Sequence, residues 1–275
     1  MAAVDAYVGQ PLPRVEDLRL ITGAGAYVAD ISRDGQLYAR IVRSEVPYGR
    51  LRGINAERAL AREGVEFVMT ADDIDEHRIP IRILSAPAGE AALQTPLTAD
   101  YVRYVGDPVA VVVADDPYLA EDAAEDVEVD IEPLEAVLEA RDSIAAEAPI
   151  LHAALGTNVV GSESATQRAE NIDELLSSAD VVVRKRFRVQ RQGSVPLEPR
   201  GFVAEWEPDL GRVSLWGAAK VKHFNRRVLA AMLDLDVEAV RVIEGDVGGG
   251  FGARGEFYPE DFLIPWLSIK LERPV

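Results

Sequence analysis

The chain has 275 residues and a mass of 29.9 kDa, longer than one ordinary domain of about 150 residues, so two domains are expected. Its hydrophobic fraction of 48% is globular and rules out a disordered tail. With 29 Lys and Arg against 47 Asp and Glu, the net charge of −18 argues against nucleic-acid or anionic-membrane binding, and the lack of cysteine excludes a disulfide, a thiolate zinc site or an iron–sulfur cluster held by this chain alone.

No apolar run approaches the roughly 20 residues of a membrane span, and the start, MAAVDAYVGQPLPR, lacks a basic region followed by an apolar one. A cytoplasmic location without a membrane partner is expected. Residues 1–30 are punctuated by Gly and Pro and read as an irregular N-terminal arm. Residues 36–44 predict a strand; Asn55 caps a short helix that runs to Arg62 and stops at Gly64; residues 65–69 predict a second strand. A second β-α-β unit begins with VAVVVA after Pro108, a continuous apolar run typical of a strand buried on both faces. Asp116 and Pro117 supply the N-cap and first-turn proline of a helix over residues 118–126, and residues 127–131 return as a strand. The two units flank an irregular stretch, residues 79–98, with three prolines. Together they suggest one α+β domain with internal pseudo-symmetry, residues 31–142.

Between Asp115 and Asp142 there are twelve acidic residues and one Arg, spread along the segment as on a solvated face rather than converging as in a cation site. His77, His152 and His223 lie far apart, so no histidine metal site is expected. Residues 143–178 are small and polar and read as a surface linker ending in a short helix. From residue 179 strand signals resume: 181–190, then 202–206 and 213–216 as an antiparallel pair across the turn at Glu207 to Gly211. Val221, Phe224, Val228, Met232 and Leu235 mark an amphipathic helix, residues 240–244 a strand, and a last helix begins near Pro259.

Chemistry concentrates in GDVGGGFGARG, where Gly245, Gly248, Gly249, Gly250, Gly252 and Gly255 fall within eleven residues between a strand and a helix. Such density lets backbone N–H groups approach a ligand, with phosphate or another oxyanion the expected guest. Gly250, Gly252 and Gly255 also match a dinucleotide fingerprint, but without the first-strand setting that motif needs. In VPLEPRG, Pro196 and Pro199 brace Glu198, a carboxylate able to orient a ligand or a neighbouring loop, or to pair with Arg200. Lys220, Lys222, His223, Arg226 and Arg227 gather positive charge at a helix start, against the helix dipole, a cost that a bound anion would offset.

Five motifs then occur in a recognisable order: Arg43-Ser44, Tyr104-Val105-Gly106-Asp107-Pro108, Glu132-Pro133-Leu134, Pro196-Leu197-Glu198-Pro199-Arg200 and Gly248-Gly249-Gly250-Phe251-Gly252. With them the chain resembles the molybdenum-binding large subunit of the xanthine dehydrogenase, aldehyde oxidase and aerobic carbon monoxide dehydrogenase family, over nearly its whole length. The resemblance implies an α+β fold in which an α/β hammerhead domain precedes the start of a molybdopterin-binding domain, residues 179–275. It implies a molybdenum–molybdopterin cofactor, in its cytosine dinucleotide form, held by Lys220, Gly249, Gly250, Phe251, Gly252, Ala253 and Arg254, with Glu198 and Glu256 on the substrate side. Where the family has a glutamine near the apical oxo ligand this chain has Lys220, which can still donate a hydrogen bond and adds charge. The substrate-facing glutamate of purine-oxidising members aligns with Gly255, with Glu256 one residue later, so xanthine is not the expected substrate.

The implied activity is hydroxylation of an aldehyde or N-heteroaromatic compound with water-derived oxygen, electrons leaving through 2Fe-2S and FAD on partner subunits. The implied partners are the C-terminal part of the molybdenum subunit, an iron–sulfur subunit, an FAD subunit and a small-molecule substrate. The family's catalytic glutamate lies beyond a segment like Arg273-Pro274-Val275, so no catalytic base is expected in this chain, read as the N-terminal part of a split subunit or a fragment. A same-family alternative is an aromatic acyl-thioester reductase. A rival of another class is a non-catalytic nucleotide- or anion-binding module using the glycine loop.

Overall fold

The computed structural model describes residues 7–82, 87–162, 171–217 and 219–275; residues 1–6 of the expected arm, 163–170 of the expected linker and Ala218 lie outside them. The described chain forms two compact units, one of Ala39–Val195 with Phe257–Pro259, the other of the residues up to Tyr38 with Pro196–Glu256 and Glu260–Val275. Chain order opens with α1 (Asp17–Ile21), a single turn without a buried residue.

In the first unit, β1 (Tyr38–Arg43), β5 (Pro108–Ala114) and β3 (Val65–Met69) form one three-stranded sheet in that order, and β4 (Tyr101–Val102), β2 (Gly49–Asn55) and β6 (Glu128–Pro133) form another. All seven residues of β5 are buried, as a continuous apolar run requires. The helices α2 (Glu57–Leu60) and α3 (Pro117–Glu125) pack beside it, with Ala59, Val68, Val112, Ala123 and Val127 in one cluster. The Asp116 carboxylate accepts from the backbone N–H groups of Tyr118 and Leu119, at 2.9 and 3.1 Å, the cap expected at that helix. Asn55 is not the cap expected of α2: the helix is capped by Ala56 without a side-chain bond and ends at Leu60, and the Asn55 side chain accepts from the Glu57 N–H at 3.1 Å one residue ahead of the cap position.

The pseudo-symmetric pair of β-α-β units is not what forms. The strands β5 and β6 lie in different sheets, and β6 pairs antiparallel with β2, which the sequence did not reveal. Its residues alternate between exposed and half-buried, a pattern suited to a sheet with one solvated face, whereas β5 needs cover on both. Two of the recognised motifs meet here. The Ser44 N–H donates to the Asp107 carbonyl at 2.9 Å, the Gly106 N–H to the Ser44 carbonyl at 2.7 Å, and Arg43 Nη1 to the Gly106 carbonyl at 3.0 Å. The buried Asp107 carboxylate accepts from the Arg103 N–H at 2.9 Å, and burial holds its pKa above the ordinary carboxylate range.

Within the stretch expected to be a linker lies α4 (Ile172–Ser178), exposed throughout. The strand expected over 181–190 is absent: these residues have no regular secondary structure, because no strand among the described residues lies beside them to complete a ladder.

In the second unit, β7 (Val203–Glu207) and β8 (Arg212–Trp216) pair antiparallel, and β8 continues through α5 (Lys222–Met232) to the parallel strand β9 (Val240–Ile243). A final helix, α6 (Pro259–Leu271), buries Phe262, Leu263 and Leu267. Its Ser268 hydroxyl accepts from the Trp206 N–H and donates to the Arg273 carbonyl, both at 2.9 Å. Ala204 and Val275 exchange both backbone hydrogen bonds, adding a short extended segment beside β7. Among the described residues no helix is long and apolar enough to cross a membrane.

Candidate functional site

The glycine-rich segment is the loop from β9 to α6. Gly249 and Gly252 have φ of +109° and +93°, and Phe251 has φ of +46° while being 80% exposed. A non-glycine residue in that region costs about 1–2 kcal/mol, so the loop must be held from elsewhere. Arg254 does much of this. Buried beneath the loop, its Nε donates to the Gly249 carbonyl at 2.7 Å, and its Nη2 donates to the Glu198 carbonyl at 2.6 Å and carboxylate at 3.1 Å. Glu198 Oε2 also accepts from the Gly248 N–H at 2.8 Å and Oε1 from the Val28 N–H at 3.3 Å. A side chain at Gly248 would collide with Glu198, and one at Gly249 would press on Pro196. Those two glycines permit close packing of the loop on the Pro-braced segment. At Gly252 nothing lies within 4 Å of where a Cβ would stand, and at Gly250 only the Arg254 side chain does, at 3.9 Å.

A second brace joins the arm to the start of the loop. The Asp246 carboxylate accepts from both terminal nitrogens of Arg19, one at 2.6 Å, and from the Ala26 N–H at 2.7 Å. The Arg19 hydrogen bond, followed by that of Ala26, pulls its pKa down to about 2. Neither Arg19, Asp246 nor Val28 stood out in the sequence. Asp246 lies inside the glycine motif, but local spacing says nothing of a partner 227 residues away.

Of the residues expected at the site, the structure gathers Glu198, Lys220, Gly249, Gly250, Phe251, Gly252, Ala253 and Arg254. Lys220 is exposed, its N–H donates to the Arg254 carbonyl at 3.2 Å, and its Cδ lies 4.0 Å from where a Cβ on Gly255 would stand. Glu256 is half-buried beyond the turn. Glu198 does not pair with Arg200. Arg200 instead binds Asp261 at 2.5 Å and Glu260 at 3.4 Å, the arrangement that ties the chain before β7 to α6. The basic cluster is also partly consumed within the fold: Lys222 pairs with Glu244 at 3.3 Å, and Arg226 donates to the Val237 and Val240 carbonyls at 2.9 and 2.8 Å.

The upper face of the loop is therefore an open ledge of backbone and glycine with one lysine beside it, fixed from below by buried charges. Among the described residues no group of three acidic or histidine side chains could hold a metal ion. A ligand that brings its own metal chelate suits this donor set better than a bare ion does.

An α+β unit thus precedes a β-α-β unit whose glycine loop leaves one face open. Residues 22–135 match the aldehyde oxidase and xanthine dehydrogenase a/b hammerhead domain, and residues 151–275 match the molybdopterin cofactor-binding domain. The chain is 37% identical to the nicotine 6-hydroxylase large subunit of Paenarthrobacter nicotinovorans over 98% of its own length and 33% of that protein. It is 31% identical to the carbon monoxide dehydrogenase large chain of Hydrogenophaga pseudoflava over 94% of this chain and 33% of that one. The solved structure of quinoline 2-oxidoreductase from Pseudomonas putida 86 superposes with a TM-score of 0.89 at 33% identity, covering 96% of this chain and 33% of that one. The chain belongs to the family of molybdenum-binding large subunits of xanthine dehydrogenase, aldehyde oxidase and carbon monoxide dehydrogenase, with a hammerhead domain followed by a molybdopterin-binding domain. It spans about a third of the length of these relatives.

Proposed function

We propose that the chain forms the N-terminal part of the molybdenum subunit of a hydroxylase acting on an N-heteroaromatic compound or an aldehyde. The first class is favoured by the relatives named for nicotine and quinoline. The observation that carries the reading is the open face at Gly250 and Gly252 on a loop whose underside Arg254 and Glu198 fix. Backbone N–H groups of Gly249 to Arg254, except that of Ala253, which donates to the Gly250 carbonyl at 2.8 Å, and the Lys220 ammonium would hold the molybdopterin, in its cytosine dinucleotide form. When bound, this cofactor supplies the two-electron chemistry of hydroxylation with water-derived oxygen. The protein's contribution is position and electrostatics. Phe251, exposed on the same loop, would cover one side of a ligand seated there, and Lys220 adds positive charge where an electron-rich ligand would lie.

Glu198 is engaged by three donors and serves here as the loop's brace, leaving Glu256 as the acid on the substrate side. The catalytic base belongs to the C-terminal part of the subunit, and 2Fe-2S and FAD groups on partner subunits take the electrons. A free-standing anion-binding module gains nothing from the relatives above, each named as part of a hydroxylase, dehydrogenase or oxidoreductase. The test is Gly252→Val in the complex purified from its native host. A β-branched side chain at a φ of +93° both strains the loop and fills the ledge, so molybdenum per complex should fall at least about tenfold. Full molybdenum retention would overturn the reading.

A further inference from the structure

Residues 179–195 are not used by the proposed site. They hold Arg184, Lys185, Arg186, Arg188 and Arg191 against Asp180, a local charge of +4 (five minus one) in a chain of −18. At a period of two, Val181, Val183, Phe187 and Val189 fall on one side, interrupted by Lys185, and Arg184, Arg186 and Arg188 on the other, preceded by Val182. The apolar side is bare: Val183, Phe187 and Val189 are 77%, 84% and 91% exposed. We propose that residues 181–190 are a β-strand completed by an extended segment of the large subunit that lies outside this chain and alternates apolar residues with Asp or Glu. The proposal rests on reading the chain as part of a longer subunit.

The partner's chemistry follows from the pairing rules of a ladder. Residues opposite each other share a face, so the valines and Phe187 require apolar neighbours and the arginines require carboxylates. Arg188 already reaches one, Glu139, at 2.6 Å. A second copy of the same strand in antiparallel register would set arginine against arginine, which is destabilising. Nucleic acid or an anionic membrane would satisfy the cations while the rest of the chain's charge repels it, and nucleic acid would leave the apolar face wet. The relatives are about three times as long as this chain, so a segment of the required kind has room to exist.

Hydrogen–deuterium exchange on the complex purified from its native host tests this. Amides of 181–190 should exchange at least about 100-fold more slowly than those of the linker at 145–158. Arg184→Glu with Arg186→Glu should return 181–190 toward the linker's rate while β5 stays protected, and the Arg→Lys pair should keep the protection. Linker-like exchange in a molybdenum-loaded complex would sink the strand alone. A preparation that contains neither molybdenum nor a further stretch of large subunit would sink the strand and the parent reading together. Protection removed by nuclease or detergent would assign the face to nucleic acid or lipid and likewise overturn the proposal.

Discussion

Around β5, seven consecutive residues are buried, and the corner at Ser44 and Gly106 is closed by backbone hydrogen bonds. Around the glycine loop the closing contacts come instead from charged side chains: Arg254 with Glu198 below it, and Arg19 with Asp246 at its start. A run of valines fixes a strand through packing that any neighbour of similar size could supply. An exposed loop with positive φ has no core of its own, and directional bonds from carboxylates and guanidiniums set its backbone while leaving one face bare. The first unit is thus tolerant of conservative change and the second intolerant of losing a single charge.

Removing one such charge has the largest expected effect. Arg254→Leu leaves the Glu198 carboxylate, 10% exposed, without its counter-ion and frees the Gly249 carbonyl, a loss of about 3 kcal/mol together with the bound cofactor. Chemical unfolding and molybdenum content of the complex measure the two parts. Adding Glu198→Gln should recover some of the stability, because the stranded charge is gone. By contrast, Val112→Ala in the fully buried β5 should cost about 2 kcal/mol, as two deleted methyls and a partly collapsed cavity do, with molybdenum retained. If Val112→Ala emptied the site and Arg254→Leu did not, the division between the two regions would be wrong.

Lys220 is expected to matter for the ligand and hardly for the fold. As an exposed side chain, its replacement should change stability by no more than about 0.5 kcal/mol. Lys220→Gln keeps a donor and should preserve cofactor and part of the activity, while Lys220→Glu places an anion beside an electron-rich ligand and should preserve neither. Equal activity and molybdenum content in all three complexes would remove Lys220 from the site.

The same contrast explains what the sequence disclosed. Elements set by local rules were legible: the Asp116–Pro117 start of α3, the helical spacing of α5, the buried run of β5 and the glycine loop itself. What depended on distant partners was not. The strand β2, read as GRLRGIN, has neither apolar alternation nor a turn signal and exists because β4 and β6 flank it. Residues 181–190 have the alternation and no such neighbour among the described residues, so pattern and structure disagree in the opposite sense. At the site, glycine density pointed to the ledge, but the bonds that hold it span 170 residues from Val28 to Glu198 and 227 from Arg19 to Asp246. No window along the chain contains both ends.

The smallest expected effects are pH dependences, and the two regions should show them with opposite sign. Asp246 has a pKa lowered to about 2 by Arg19 and the Ala26 N–H, against an ordinary value of 3.8. Its folded form binds protons less readily than the unfolded chain does. Its contribution is therefore complete above pH 3.8 and disappears as pH falls through about 2. Asp107 has a pKa raised by burial, so its folded form holds the proton more tightly. Its contribution is present below the ordinary value and is lost as pH rises through the raised one. At neutral pH Asp246→Asn should loosen the arm, seen as faster exchange of the amides of residues 19–28, and the difference from wild type should shrink in strong acid. Asp107→Asn should leave neutral stability unchanged or slightly higher, because a buried charge is removed while an amide oxygen can still accept from the Arg103 N–H. That advantage should vanish on acidification, as the wild-type carboxyl takes up its proton. A Tm series for Asp107→Asn from neutral to acid pH, set beside the arm exchange of Asp246→Asn, measures both signs; matching pH trends in the two variants would show that burial and ion pairing do not divide the regions in this way.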